Sequence, residues 1–391
     1  MGTDRRLLMI PGPIEFEPDV LNAMSRKTDS HVSPDFIALF GGCLRRLRDV
    51  FRAPDGQPFV VAGSGTTAME MAAANVVEPG DAVLVVSTGY FGERNARLLA
   101  RHGAEVEVVE APPGDVPPLD TVEAALKRRA FKAMFVTHVD TSTGVRADAE
   151  ALAKLARAHG VLSVFDGVCA TAGEVFEQTA WDADIYLTAS QKALGVPPGL
   201  AIVMARPRAL EAWRQRTHPV RSYAVDWEEW LPIMEAYEEG RPSYFATPPV
   251  NLIYALDVSL RYILEEGMEA VWARHARVAR AFQAAWRALG LRMLPVRPEI
   301  AAHTLSAVYY PEGVDASVLA RIAEEGVIVA GGLHPQLKAQ YFRVGHMGRV
   351  RPADVLATVG AIERAFRAAG ADVPLGAGVQ AAQIVLAEEL Q

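Results

Sequence analysis

The chain contains little cysteine, little lysine and no long apolar run. Its 391 residues include two cysteines, Cys43 and Cys169, which excludes a disulfide framework. No stretch reaches the roughly 18 uncharged apolar residues that a membrane-spanning helix needs. The apolar run Leu7–Ile10 is too short for a secretory signal. We therefore expect a cytoplasmic protein that does not contact a membrane.

Acidic residues outnumber basic residues in this chain. The formal net charge is −8 and the sequence pI is about 5.7, so composition gives no support for nucleic-acid binding. Half of the residues are apolar, which is enough for a large core. The length suggests two domains.

The scarcity of lysine singles out one of them. The chain has six lysines against 33 arginines, and Lys192 alone follows a strand that should be buried, Asp184–Ala189. A lysine at such a position must be paired, neutral or covalently used. A neutral amine can form a Schiff base with a carbonyl cofactor. The ordinary alternative is a lysine whose ammonium reaches water.

Short apolar strands alternate with helical stretches from about residue 57 to 205. This alternation predicts a buried, mostly parallel sheet flanked by helices. Strands are expected at Phe59–Ala62, Ala82–Ser87, Glu105–Val109, Ala133–Thr137, Val161–Asp166, Ile185–Ala189 and Ala201–Ala205, and helices at Thr66–Val77, Glu93–His102, Thr121–Arg129 and Asp148–His159.

The remainder of the chain has a different pattern. Residues 206–250 are rich in aromatics and predicted to be irregular, and helical periodicity then runs from Val250 to Leu289 with a break near Gly267. A smaller α+β part follows, and its tail, residues 376–391, is predicted to be an amphipathic helix. Its other elements are expected at Leu305–Tyr310, Ala316–Glu325, Val327–Ala330, Tyr341–Val344 and Ala353–Ala369.

A glycine-rich turn, Gly63-Ser64-Gly65-Thr66-Thr67, links the first of these strands to a helix. Free N–H groups and the helix dipole there favour a phosphate, and Ser64 and Thr66 add hydroxyl donors. Taken alone, such a turn is more often an ordinary capped helix start. It is not a Walker loop, because no Gly-Lys-Ser/Thr follows.

Asp166 ends another strand, at the edge where ligands bind in open α/β sheets. A lysine for the aldehyde and an aspartate for the ring nitrogen are what pyridoxal phosphate requires from a protein. Each feature alone is common, but a phosphate turn, Asp166 and Lys192 at strand ends of one sheet are not. The sequence therefore predicts a pyridoxal phosphate site, and no metal site.

Four further residues are candidates for the same site. Gln191 could reach the phosphate, Thr141 could bond the phenolic oxygen, and Phe91 could stack on the pyridine face, although a polar turn and a core aromatic are the plainer interpretations. Arg343 lies within an apolar strand and needs an anionic partner. That partner is either a substrate carboxylate or an internal acid.

On these residues the chain resembles the class V aminotransferases of fold type I, the alanine–glyoxylate and serine–pyruvate group, from about Leu7 to Ala369. The segments Ile10–Ile14, Tyr244–Pro249 and Ala330–Gly332 are most similar to the fungal-type alanine–glyoxylate enzymes. Seven segments carry the resemblance: Pro11-Gly12-Pro13, Gly63-Ser64-Gly65-Thr66, Thr141-Ser142-Thr143-Gly144-Val145, Asp166 with Val168, Ser190-Gln191-Lys192-Ala193 followed by Pro197-Pro198-Gly199, Tyr244-Phe245-Ala246-Thr247-Pro248-Pro249, and Arg343-Val344-Gly345.

The resemblance implies the α/β fold of the type I transferases that use pyridoxal phosphate. A large domain with a mostly parallel seven-stranded sheet flanked by helices is joined to a smaller α+β domain. An N-terminal arm over residues 1–15 would cover the partner subunit, the cofactor domain would span 16–262, and the small domain 263–391. A homodimer with shared active sites is implied.

The resemblance also implies roles for individual residues. Lys192 would be the covalent attachment point of the cofactor, Asp166 would pair with its pyridinium, Val168 would pack on the far ring face, Phe91 would occupy the position of the stacking aromatic, and Thr141 would lie near the phenolic oxygen. The remaining assignments are Ser64, Gly65, Thr66 and Gln191 to the phosphate, Tyr244 and Thr247 to the phosphate of the neighbouring subunit's cofactor, and Gly12 and Arg343 to the substrate.

Two positions depart from the family pattern. Ile14 stands where many relatives carry Ser or Thr, and Phe91 replaces a tryptophan found in several animal relatives. Both affect the substrate pocket and not the central chemistry. The expected reaction is L-alanine with glyoxylate, giving pyruvate and glycine, with serine as the next donor.

Other interpretations stay open at this point. Ureidoglycine or aminoethylphosphonate aminotransferases and a kynureninase-like hydrolase share the features above. A cysteine desulfurase needs a reactive cysteine late in the chain, whereas the last one is Cys169. A Rossmann dehydrogenase needs a third glycine after Gly65 and an acid after the next strand. A binding protein on this fold would be expected to lack Lys192.

Overall fold

The computed structural model describes residues 6–388. Its strands lie in three small sheets and one large one. They are β1 Leu7–Leu8, β2 Gln57–Ala62, β3 Ala82–Ser87, β4 Glu105–Glu110, β5 Ala133–Thr137, β6 Val139–Asp140, β7 Val145–Arg146, β8 Leu162–Asp166, β9 Ile185–Ala189, β10 Leu200–Ala205, β11 Leu305–Tyr309, β12 Val327–Ile328, β13 Ala330–Gly331 and β14 Tyr341–Gly345.

Helices cover the faces of the large sheet and make up much of the C-terminal part. They are α1 Pro18–Met24, α2 Pro34–Phe51, α3 Gly65–Val76, α4 Tyr90–Arg101, α5 Leu119–Arg128, α6 Ala149–Ala158, α7 Pro207–Arg214, α8 Trp227–Glu238, α9 Val250–Glu266, α10 Met268–Ala288, α11 Val318–Glu324, α12 Pro352–Ala368 and α13 Ala377–Ala387.

The large sheet has seven strands in the order β2-β10-β9-β8-β5-β3-β4. All seven strands predicted for it are present, with bounds shifted by at most two residues. β10 runs antiparallel to both of its neighbours, while the other pairs are parallel. The ends of β2, β5, β8 and β9 therefore meet at one edge, where ligands bind in sheets of this kind.

The central strands are buried on both faces because helices cover them. Every residue of β3, β5, β8, β9 and β10 is buried, which explains why their sequences are continuously apolar instead of alternating. A single apolar core joins this sheet to α2, α3, α8 and α9. The edge of the sheet where β2, β5, β8 and β9 end is thus supported by a packed core.

The stretch 206–250, predicted to be irregular, contains two helices, so that prediction was wrong. In α8 the apolar residues Trp227, Trp230, Leu231 and Met234 follow helical spacing, a pattern obscured by Pro232 inside the helix. Trp227 stacks on Phe59 of β2 with ring centroids 5.0 Å apart. The aromatic residues of this stretch therefore pack into the core.

The C-terminal part has its own core around the antiparallel sheet β11-β14-β13. The single strand predicted at Val327–Ala330 is divided, because β12 pairs with β1 and β13 pairs with β14. Sequence gives no sign of this change of partner. Among residues 6–388, no helix combines the length and apolar composition that crossing a bilayer requires.

The N-terminal segment connects the two cores. β1 pairs in parallel with β12, Met9 belongs to the C-terminal core, and Ile14 belongs to the large one. Residues 1–5 of the predicted arm lie outside the described residues, and its contact with a partner subunit stays a prediction. The predicted domain boundary at 262/263 also stays a prediction. The cores divide inside α10, where Trp272 packs on the large core and Phe282 in the small one.

Candidate active site

A cavity of about 170 Å³ opens at the polar edge of the large sheet. Every cofactor residue that the sequence assigned to this subunit's own site lines it. Clefts of about 540 and 720 Å³ lie elsewhere, so size does not identify the site; the chemistry of the lining does. The lining residues are Ser64, Gly65, Thr66, Met69, Phe91, Arg94, Val139, Thr141, Asp166, Val168, Cys169, Gln191 and Lys192.

The N-terminus of α3 forms one end of this cavity. The Gly63 N–H donates to the Gly199 carbonyl (2.9 Å) and the Ser64 N–H donates to Thr67 Oγ1 (3.1 Å), which fixes the turn. A Cβ at Gly65 would lie 2.8 Å from Val168 Cγ2, so glycine allows the helix to approach that close. First-turn N–H groups have no partner within the helix, and they favour an anion here.

Asp166 and Lys192 form the centre of the site. Both are buried, with 4% and 9% of their surface exposed. Asp166 Oδ1 accepts the Val168 N–H (3.0 Å), and burial raises the pKa of the Asp166 carboxyl to about 6. The Lys192 Nζ donates to the Pro11 carbonyl. A Cβ on Gly12, whose φ is +90°, would lie 2.6 Å from Lys192 Cδ, so the N-terminal segment packs directly on the amine.

Asp140 is a buried acid that sequence reasoning missed. Its Oδ2 accepts the N–H groups of Phe91 (2.9 Å) and Gly92 (3.3 Å), while Ser142 Oγ accepts that of Tyr90 (3.0 Å). These bonds start α4 at Tyr90, three residues before the predicted start at Glu93. The phenyl ring of Phe91 is thereby positioned from a distant part of the chain, and no local pattern signals it.

Arg343 approaches the site from β14. Its Nε donates to the Gly331 carbonyl (2.8 Å) and its Nη1 to the Thr141 carbonyl (3.1 Å). Burial lowers the pKa of Arg343, but a guanidinium stays charged in proteins. Within residues 6–388 it forms no ion pair with a carboxylate, so the internal salt bridge considered above is not formed there.

Four of the predicted residues do not line this cavity: Gly12 and Arg343, which contact its lining residues Lys192 and Thr141, and also Tyr244 and Thr247. Tyr244 is 63% exposed and Thr247 is exposed, and neither lines the cavity of its own subunit. Their assignment to a neighbouring subunit's cofactor stays a prediction. Conversely, Arg94 lines the cavity and was missed, because the predicted helix began at Glu93 and did not place Phe91 and Arg94 on one helix face.

The lining fits pyridoxal phosphate. A buried amine, a buried carboxylate and a helix N-terminus are all present around one cavity. Gln191 Oε1 is buried and has no hydrogen-bond partner among residues 6–388. This oxygen accepts a hydrogen bond and calls for a donor, whereas the Nε2 end of the same amide is the one that can donate to a phosphate. Gln191 stands beside Lys192, on the strand end that faces this ligand space.

The chain is similar to known proteins over most of its length. The family model described as Aminotransferase class-V matches residues 18–351. Alanine–glyoxylate aminotransferase 1 of Saccharomyces cerevisiae is 39% identical over 87% of this chain and 91% of its own. The L-aspartate–glyoxylate aminotransferase of Paracoccus denitrificans is 35% identical over 97% and 96%. The crystal structure of ureidoglycine–glyoxylate aminotransferase from Bacillus subtilis superposes with a TM-score of 0.92 at 27% identity, covering 99% of each chain. These last two chains match over almost their full length.

Proposed function

Because the chain belongs to the class-V aminotransferase family, we propose that it transfers the amino group of L-alanine to glyoxylate, with pyridoxal phosphate as cofactor. The products are pyruvate and glycine. The three relatives named above share glyoxylate in their names and differ in the amino donor. Glyoxylate is therefore the better supported of the two substrates, and the donor is the finer part of the proposal.

Arg343 is the observation that carries this proposal. Two of its N–H groups are held by backbone carbonyls, and within residues 6–388 no carboxylate neutralises it. A partly buried arginine in this state binds a carboxylate ligand, which amino acids and 2-oxo acids both carry. The Thr141 carbonyl that holds Arg343 belongs to a cavity-lining residue, so the guanidinium lies beside the cofactor space.

The lining of the cavity suits a donor with a small apolar side chain. Among the described residues, Lys192 and Arg94 are the cations that line it, and Arg94 donates to Thr66 Oγ1 at 2.5 Å. Apolar lining residues such as Val139 and Met69 suit a methyl side chain.

The residues divide the chemistry among themselves. Pyridoxal phosphate, when bound, supplies the carbonyl that stores the amino group and the ring that delocalises electrons from the α-carbon. Lys192 Nζ would take the proton from the substrate α-carbon and pass it to the cofactor carbon that receives the amino group, and in the reverse half-reaction it would move a proton in the opposite direction, to the α-carbon of the product. Asp166, ionised above its pKa of about 6, keeps a proton on the pyridine nitrogen. Ser64, Gly65, Thr66 and Gln191 would hold the phosphate.

The first test is the visible absorbance spectrum of the purified protein. We expect a yellow protein whose band bleaches with L-alanine and returns with glyoxylate, with pyruvate and glycine formed in equal amounts. Bleaching with serine, aspartate or ureidoglycine but not alanine would replace the donor and keep the reaction class. A protein that stays colourless after incubation with pyridoxal phosphate would contradict the proposal.

We also infer a homodimer in which Tyr244 and Thr247 complete the partner's site. The high exposure of Tyr244 supports this, because a large aromatic at 63% exposure has room for an added surface. Sedimentation velocity should give twice the chain mass. A monomer that is fully active would contradict the inference.

A further inference from the structure

The phosphate end of the cavity is lined by uncharged groups. Ser64, Gly65, Thr66 and Gln191 provide N–H, hydroxyl and amide donors but no formal charge. A phosphate monoester carries about −1.5 to −2 charges at neutral pH. The helix N-terminus contributes only about half of a positive charge. A full cation near this end of the cavity would offset the remaining negative charge.

Arg94 is the cation placed to offset that charge. It lines the cavity, and its Nη2 donates to Thr66 Oγ1 at 2.5 Å. Its guanidinium carbon lies 5.9 Å from the ring centroid of Phe91. Within residues 6–388 it forms no ion pair with a carboxylate, so its charge is not neutralised by that part of the protein.

The bond to Thr66 also fixes the direction of a hydroxyl. A threonine hydroxyl has one hydrogen and two lone pairs. Since Arg94 occupies a lone pair of Thr66 Oγ1, the hydroxyl hydrogen must point elsewhere. Thr66 is at the start of α3, so that hydrogen is available to an anion held by the helix N-terminus.

The backbone of α4 that carries Arg94 is firmly held. The buried Asp140 carboxylate accepts two N–H groups at the start of the helix, so α4 cannot shift without breaking both bonds. Phe91 and Arg94 are three residues apart on that helix and therefore face the same side. One buried anchor thus places both the stacking ring and the cation.

We propose that Arg94 is a phosphate-binding residue that supplies the positive charge for the cofactor's phosphate and orients the Thr66 hydroxyl toward it. This inference rests on the proposed function, since the phosphate is that of pyridoxal phosphate. The competing explanation is structural: Arg94 would only tie α4 to α3. The two explanations differ in what they predict for a ligand without a phosphate.

The experiment measures dissociation constants of the apoprotein for pyridoxal phosphate and for pyridoxal, by absorbance titration. Arg94→Gln should weaken pyridoxal phosphate by about 10- to 100-fold, as expected for a lost charge-assisted hydrogen bond. Pyridoxal should change by less than about twofold, and inorganic phosphate should compete less well against pyridoxal phosphate. Arg97→Gln is the matched control, because Arg97 is exposed on the same helix and contacts Tyr90.

Equal weakening of both ligands, or unchanged affinity for pyridoxal phosphate, would overturn the inference. If Arg94→Gln does not fold, Arg94→Lys takes its place in the titrations. Because it keeps the charge, Arg94→Lys should retain most of the preference for pyridoxal phosphate over pyridoxal. A variant that loses this preference and also has a lowered melting temperature would favour the structural explanation. Wild-type protein is titrated first. Failure of the wild type to bind pyridoxal phosphate would remove the proposed function, whereas binding that Arg94→Gln leaves unchanged removes only this inference.

Discussion

Two buried acids in this molecule have opposite electrostatic surroundings. Asp166, in the candidate site, has a pKa raised by burial to about 6. Glu174, eight positions further along the chain, is at least as buried, and burial alone would raise its pKa too, but His303 and Arg146 lower it to about 2. The difference lies in the partners. Burial sets the cost of a charge, and neighbouring cations decide whether that cost is offset.

The charge of Glu174 is offset by neighbouring cations of the protein itself. His303 Nδ1 lies 2.9 Å and Arg146 Nε 3.7 Å from Glu174 Oε2, and the His303 N–H donates to Oε1. Glu174 follows β8 and His303 precedes β11, so the cluster links the two cores. In the candidate site, by contrast, Asp166 and Arg343 have no oppositely charged hydrogen-bond partner among residues 6–388. We infer that one cluster serves stability and the other serves a ligand.

Lys192→Ala tests the functional half of this contrast and has the largest expected effect. Transamination should fall by on the order of 10⁴-fold or more, because the proposed roles of this side chain are those of nucleophile and base. The variant should stay folded, since it removes one hydrogen bond, to the Pro11 carbonyl, and leaves both apolar cores unchanged. Steady-state rates and circular dichroism measure both quantities. Lys154→Ala, an exposed lysine, is the control, and full activity in Lys192→Ala would contradict the assignment.

Arg343→Ala should cause the second-largest loss of activity. Losing the partner of the substrate carboxylate should cost about 2–5 kcal/mol in kcat/KM for both alanine and glyoxylate. Arg343→Lys keeps the charge without the two-pronged geometry and should lie between the wild type and Arg343→Ala. Steady-state kinetics with alanine and with glyoxylate measure kcat/KM for each variant. Values equal to wild type would make Arg343 a structural residue.

Glu174→Gln should lower stability and leave activity nearly unchanged, the reverse of what we expect for Lys192→Ala. Removing the charge leaves His303 and Arg146 without their counter-ion, and we expect the free energy of unfolding to fall by about 3 kcal/mol. Activity should change less than about fivefold, because Glu174 does not line the cavity. Urea unfolding measures the loss. Glu177→Gln, a half-exposed neighbour, should change stability by less than about 1 kcal/mol, and equal losses in both variants would contradict the comparison.

Asp166→Asn should stabilise the apoprotein while abolishing its function. At pH 8 the wild-type carboxylate is ionised in a buried position, and replacing it should raise the free energy of unfolding by about 2 kcal/mol. The Val168 N–H can still donate to the amide oxygen of the introduced asparagine. Urea unfolding of both apoproteins at pH 8 tests this. A less stable variant would show that Asp166 is paired after all.

The free energy of unfolding of wild type and Asp166→Asn should also differ in its dependence on pH, and this is the smallest of the expected effects. A folded pKa of about 6, above the ordinary 3.8, means that the contribution of Asp166 to stability is complete below pH 3.8 and is lost as the pH rises through 6. The advantage of Asp166→Asn should therefore grow between about pH 4 and 7. The contribution of Glu174 has the opposite sign: it is present above 4.5 and lost as the pH falls toward 2. A difference between wild type and Asp166→Asn that does not vary with pH would contradict the assigned shift.

Sequence identifies the groups that follow buried strands well. Ser64, Asp166 and Lys192 were located because continuously apolar strands are easy to recognise and the residues after them meet at one edge. Asp140 and Arg94 were not found. Their importance depends on the exact start of α4, which a carboxylate 49 residues away from Phe91 determines. Contacts of that range leave no local pattern.

The same limit applies to the fold. Strands of the large sheet were predicted closely, whereas the division of Val327–Ala330 into β12 and β13 was not, because each half pairs with a different strand. Helix α8 was missed because Pro232 interrupts an otherwise helical pattern. Tertiary pairing decided the first case, and local propensity misled in the second.

The stretch from Leu7 to Ile14 has a mechanical consequence. It is anchored in the small core by a two-residue strand, passes over the reacting amine at Pro11, and is anchored again in the large core. A pull on the start of the chain would first detach β1 from β12 and draw Met9 out of the small core, and would then uncover Lys192. We therefore expect traction at that end to abolish activity while the large core is still packed.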